Sequence, residues 1–187
     1  MAAKRNKVYT IAFIGVMSAV VFVSNYFSIP VASSRIHLAN AVCLLAGMLF
    51  GGLQGGLAAG LGSALFDITF PAYAAEAWIT FLNKGLMALV CGLIVHHGMA
   101  LGEKKRLRLV LGALAGAVLY IGLYMLKSYV QMSLLGMERD ALLIKMGEKL
   151  LASLVNGTFA VIAAPLLYTA LHPALVKAGM YREITVK

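Results

Sequence analysis

Two long segments of this chain, 8–34 and 36–66, contain no Asp, Glu, Lys or Arg at all, and no other feature restricts the possible folds so severely. About 20 consecutive apolar residues cross the hydrocarbon core of a bilayer as a helix. Segments of this kind recur along the whole chain, separated by short charged stretches. Hydrophobic residues make up 61% of the total and charged residues 12%, whereas soluble domains run near ~45–50% and ~25%. That balance excludes a disordered chain, a nucleic-acid-binding module and a disulfide-stapled secreted domain. The 187 residues have room for about six spans with short connections and no separate soluble domain.

The 36–66 segment is interrupted by Gly51-Gly52-Leu53-Gln54-Gly55-Gly56. Glycine at that density disfavours continuous helix, so two short helices joined by a tight turn are expected there. The expectation is an all-α polytopic membrane protein forming one domain over 1–187, with spans at about 8–29, 38–50, 54–68, 78–97, 109–132 and 149–171. Pro30, Pro71 and Pro173 fall at or beyond span ends, and Pro165 predicts a kink inside the sixth. Lys4-Arg5-Asn6-Lys7 could open a signal peptide, but the apolar stretch that follows is too long for one, and Ala32-Ser33-Ser34 is a poor cleavage site. The first helix is therefore read as retained.

The net charge of +9 matters less than its distribution. With six spans, one side of the membrane carries Lys4, Arg5, Lys7, Lys104, Lys105, Arg106, Arg108, Lys177, Arg182 and Lys187. The other carries Arg35, Arg139, Lys145 and Lys149. Cytoplasmic loops hold the excess of Lys and Arg, which places both termini in the cytoplasm.

Polar residues inside spans usually face a cavity or a partner. Arg35, His37 and Asn40 precede or open the second span, Asp67 closes the third, Asn83 and Lys84 lie early in the fourth, Lys127 late in the fifth and Asn156 early in the sixth. All fall in the outer half, which predicts a ligand cavity open to the outside and closed below by apolar packing. Set against Asp67 and Glu76, the cations suit a ligand with a carboxylate, a phosphate or many acceptors. The competing possibilities are lysines that snorkel to lipid headgroups and pairing of lysine with aspartate inside the protein.

Small residues form a second pattern. Ala12, Gly15, Ser18 and Ala19 line one face of the first span, while Gly56, Gly60 and Ala64 repeat along the third. Such faces let helices approach closely, within the chain or against another protein. Cys43 and Cys91 lie in apolar runs and read as small buried hydrophobes. The chain has no phosphate-binding G-x-x-x-x-G-K-[ST] loop, no H-E-x-x-H and no metal-ligand spacing. No catalytic residue, metal or cofactor is expected.

The stretch Ser34-Arg35-Ile36-His37-Leu38-Ala39-Asn40-Ala41-Val42-Cys43-Leu44-Leu45-Ala46-Gly47, continuing through Phe50-Gly51-Gly52 and Gly55-Gly56-Leu57-Ala58-Ala59-Gly60-Leu61-Gly62-Ser63, resembles substrate-binding S components of energy-coupling factor (ECF) transporters. So does Phe70-Pro71-Ala72-Tyr73 followed by Trp78-Ile79-Thr80-Phe81-Leu82-Asn83-Lys84. The resemblance covers about 8–171. It implies a non-enzymatic six-helix subunit of the bacterial cytoplasmic membrane. Such a subunit captures a vitamin or precursor from outside and works with a transmembrane coupling subunit and two cytoplasmic ATPases. It also implies docking through the first helix, where an A-x-x-x-A face is usual and Gly15-x-x-x-Ala19 stands here with Ala12 and Ser18. The loop from Ser28 to Ile36 is placed by the same resemblance near the pocket. Arg35, His37, Asn40, Asp67, Trp78, Asn83, Lys84, Lys127 and Asn156 are the candidate substrate-binding residues. Thiamine-type members look to use several aromatic rings, and a single tryptophan, Trp78, speaks against that ligand. Riboflavin, pantothenate, folate, pyridoxine, a pyrimidine precursor and cobalamin stay open. The alternative is a stand-alone secondary transporter of a small organic solute, but no inverted repeat relates 1–95 to 96–187.

Overall fold

The computed structural model describes residues 7–31, 34–96 and 105–179. Lys4, Arg5, Lys104, Arg182 and Lys187 of the charge count lie outside them, as do the side chains of Arg35 and Lys105. The architecture is helical, apart from one short hairpin. Helix α1 spans Lys7–Ser24 and ends before the expected residue 29. The Ser24 hydroxyl and the Asn25 amide both donate to the Val21 carbonyl, at 2.7 and 2.8 Å, competing with the helical ladder where it stops. The chain then forms β1 (Ser28–Val31) and β2 (Ser34–His37), an antiparallel pair with Ser28 opposite His37 and Pro30 opposite Arg35.

Helices α2 (Ala39–Phe50) and α3 (Gly52–Ile68) are separated by Gly51 alone. Its φ of 82° lies in the left-handed region that glycine enters without steric cost. A single turn, α4 (Pro71–Ala74), has proline at its start, where no N–H is required. Then follow α5 (Ala77–His96), α6 (Lys105–Leu134) and α7 (Arg139–Lys177). The expected sixth span is the middle of α7, which starts ten residues earlier and continues through Pro165 and Pro173. Its first turns carry Arg139, Asp140, Lys145, Glu148 and Lys149, so an apolar window begins too late to register them.

Helices α1, α5, α6 from Arg106 and α7 are each long and apolar enough to cross a membrane. Helix α2 is shorter, and every residue from Ala39 to Leu49 is buried, as befits a helix that is apolar all round. Around it, α3 packs on α5, α5 on α6, α1 on α3, and α7 on both α2 and α6. Small residues permit the closest of these contacts. A Cβ on Gly92 of α5 would stand 2.5 Å from the Gly52 nitrogen and 2.6 Å from the Gly51 carbonyl carbon. The Gly56–Gly60 face of α3 likewise lies on the backbone of α5, at Gly85 and Phe81. That repeat therefore serves packing within the chain.

The apolar core occupies one half of the bundle: Leu44 and Met48 of α2, Met87 and Cys91 of α5, Leu109 and Ala113 of α6, and Ala160 and Ala164 of α7. Large aliphatic side chains such as Ile11, Leu53, Val118, Ile162 and Leu166 point outward instead. An apolar exterior around a packed interior is the arrangement a lipid solvent demands.

Candidate functional site

At the other end of the bundle lies a cavity of about 600 Å³, within the range of small-molecule sites. Three helices supply its polar walls at helical spacing. Glu76, at the entry to α5, continues as Thr80 and Lys84; α6 contributes Tyr120, Tyr124, Lys127, Ser128 and Gln131; α7 contributes Lys149, Ser153 and Asn156. Steps of three and four residues put each set on one helix face. Asn25, Ser28 and His37 enter from the end of α1 and the hairpin, while Phe66, Asp67 and Tyr73 enter from α3 and α4.

Lys84 is 4% exposed, and its ammonium donates to the Asn40 side-chain oxygen while lying 4.6 Å from the centroid of the Tyr120 ring. Tyr120 and Tyr124, one turn apart, lie with their rings nearly parallel, 6.0 Å between centroids. Lys149 repeats the lysine–tyrosine arrangement one turn further along, donating to the Tyr124 hydroxyl at 3.1 Å with its ammonium 5.2 Å from the ring centroid. Lys127 forms a salt bridge with Glu76, whose second oxygen accepts from Gln131 at 2.6 Å. Burial pushes the Glu76 carboxyl up, but hydrogen bonding and charge from Lys127, with Gln131 and Lys149, hold it below its ordinary value of 4.5.

Two further features frame the site. Phe22, Tyr26, Phe66, Phe70 and Tyr73 form a chain of rings, with centroids 4.9 Å apart at Phe66–Phe70 and 5.0 Å at Tyr26–Phe66. The backbone N–H of His37 donates to the Asn156 side-chain oxygen at 2.9 Å, joining the hairpin to α7.

Of the residues singled out in the sequence, His37, Asp67, Lys84, Lys127 and Asn156 line the cavity together. Asn40 is buried behind Lys84 and holds its ammonium. Asn83 is buried on α5 but is not part of the lining. Trp78 is 65% exposed and points away from the cavity, so it takes no part in its wall. Arg35 sits in β2, opposite Pro30. Tyr120, Tyr124 and Ser153 also line the cavity, as does Lys149, which the sequence marks only as an outer-side charge; singly, none of them stands out as a cavity residue. The polar stripes on α6 and α7 were the available signal.

On the first helix, Ala12, Gly15 and Ala19 are exposed, and a Cβ added at Gly15 would meet nothing within 4 Å. Ser18 is buried instead, its hydroxyl donating to the Ile14 carbonyl and its backbone facing Gly62 of α3.

A family model described as ECF-type riboflavin transporter, S component, matches residues 5–173. No curated protein matches the sequence.

Proposed function

The chain belongs to the ECF-type riboflavin transporter S components, and from that premise we propose that its cavity captures a riboflavin-like vitamin at the outer face of the bacterial cytoplasmic membrane. Family membership makes it a membrane-embedded substrate-binding subunit for vitamin uptake. The observation that carries the finer reading is the roughly 600 Å³ cavity at the end of the bundle remote from His96, where α5 ends, and Lys105, where α6 begins; the sequence between and just after them is basic, with Lys104, Lys105 and Arg106. If that basic connection is cytoplasmic, the cavity faces outward.

In this reading the six longer helices α1, α2, α3, α5, α6 and α7 are the membrane helices, and both termini are cytoplasmic. Delivery requires a transmembrane coupling subunit and two cytoplasmic ATPases. The exposed positions Ala12, Gly15 and Ala19 support docking through α1, since small side chains leave the backbone open to a partner helix. Ser18 faces inward and is left out of that surface. Within the cavity, Lys84, Lys127, Asp67, His37 and Asn156 supply charge and hydrogen bonds, and the two tyrosines on α6 offer ring faces.

The deciding experiment is mass spectrometry of small molecules retained by the chain purified alone in detergent, followed by titration with riboflavin. One stoichiometric vitamin is expected. Concentrative uptake by proteoliposomes containing this chain without any ATPase would overturn the reading in favour of a secondary transporter.

A further inference from the structure

The two lysine–tyrosine pairs say something about the ligand that the family description does not. The cavity wall holds three ammonium groups, Lys84, Lys127 and Lys149, and two carboxylates, Asp67 and Glu76. Counting both carboxylates as ionised still leaves a surplus of one positive charge. The surplus is also localised. Glu76 is committed on both oxygens, to Lys127 and to Gln131. Lys84 instead meets an amide oxygen and a ring face, and Lys149 meets a phenol oxygen and a ring face. These hydrogen-bond and ring partners are all neutral, while Glu76 acts on Lys149 through its charge without bonding to it. Each ammonium has three donor hydrogens and can take an anionic acceptor without giving up these contacts.

Holding cations in a low-dielectric cavity is costly, and an anion entering it regains part of that cost. Asp67, also on the wall, lies close enough to act electrostatically on both Lys84 and Lys127, but forms a salt bridge with neither. The surroundings of the two ammoniums are planar. Tyr120 and Tyr124 offer nearly parallel faces on α6, and Phe66 and Tyr73 bring rings to the wall from α3 and α4. Aromatic rings pack well against such surfaces. We propose that the ligand of this cavity is a planar aromatic or heteroaromatic acid, its ring against the α6 tyrosines and its carboxylate or phosphate held by Lys84 and Lys149.

This inference rests on the capture reading above and narrows it. It is tested by equilibrium dialysis of the purified chain against three pairs that share a ring and differ in acidity: riboflavin and riboflavin 5′-phosphate, pyridoxine and pyridoxine 5′-phosphate, nicotinamide and nicotinate. The acid of at least one pair should bind tenfold or more tightly than its neutral partner. Lys84→Met should bring that ratio close to one, and Lys149→Met should lower it several-fold. The second variant carries the test if the first does not fold. Equal or weaker binding of the acid in every pair, including no binding by either member, overturns the proposal, as does a ratio that both variants leave unchanged.

Repeating the dialysis in nanodiscs of phosphatidylcholine and of phosphatidylglycerol separates a soluble acid from a lipid headgroup. A preference abolished by phosphatidylglycerol would assign the two ammoniums to headgroups and overturn the proposal. A neutral vitamin found bound stoichiometrically to the native chain overturns the anion and leaves vitamin capture standing. Failure of the chain to bind or help import any vitamin overturns both.

Discussion

Among single residues, the pair formed by Glu76 and Lys127 gives the clearest prediction, because its chemistry has a sign. The Glu76 carboxyl is held below its ordinary value of 4.5 in the folded chain. Its contribution to stability is therefore fully present above that value and is lost as pH falls below about 4.5 through the lowered pKa. Thermal unfolding in detergent between neutral and acid pH should show that loss, and Glu76→Gln should remove part of it. An identical acid limb in the variant would mean that the pair contributes nothing. With Glu76 26% and Lys127 19% exposed, solvent screens the interaction, and a small effect is expected. Lys84 differs in kind. It is buried, so Lys84→Ala should weaken ligand binding and also leave the Asn40 oxygen without its donor, at a cost of about 1–3 kcal/mol measurable by denaturation.

Both lysines were legible in the sequence because a charge inside an apolar run has few explanations. Tyr120 and Tyr124 were not, since tyrosine counts as apolar in a composition and shows its role only when its helix face is known. Trp78 is the opposite case. It is conspicuous in composition, yet it lies on the exterior, and tryptophan is common where a helix meets the membrane surface.

For the helices, close backbone contact decides the outcome of substitution. Gly92→Leu should destabilise the whole chain, because its Cβ would run into the backbone of Gly51 and Gly52. Gly15→Leu should not, since nothing stands within 4 Å of that position. If α1 docks on a coupling subunit, Gly15→Leu keeps vitamin binding and loses ATP-driven uptake. Loss of both would mean that this face is needed by the chain itself. The division between α2 and α3 could be read from the glycines at 51, 52, 55 and 56. The hairpin could not, because its strands are four residues each and stand in a stretch that reads equally well as loop. The start of α7 was hidden by its own charges, which a helix extending beyond the hydrocarbon core carries without penalty.

Taken whole, the interior of the bundle is polar toward one end and apolar toward the other, and its orientation can be measured directly. Its two native cysteines, Cys43 and Cys91, are buried. With both replaced by Ala, a cysteine at Gly136, between α6 and α7, should react with an impermeant reagent added outside intact cells. One at Lys187 should react only after lysis. The reverse pattern would invert the topology and turn the cavity toward the cytoplasm. The sequence could suggest this orientation from Lys and Arg alone, but not the lengths of α6 and α7. At 1.5 Å per residue, the 39 residues of α7 extend about 58 Å, well beyond a hydrocarbon core of about 30 Å.

The close packing of Leu44, Met48, Met87, Cys91, Leu109 and Ala164 has a consequence for traffic through the molecule. On α5, α6 and α7 alike, the cavity residues occupy one stretch of the helix and these core residues the next. The protein is in that sense a cup and not a pipe. A solute resting beside Lys84 has no passage to the far end, and thermal jostling of side chains cannot open one through an interior packed like a crystal. A solute in the cavity can reach the far end only if the packed helices part or the body as a whole moves, so passage across the molecule depends on motion of the body and not on diffusion through it.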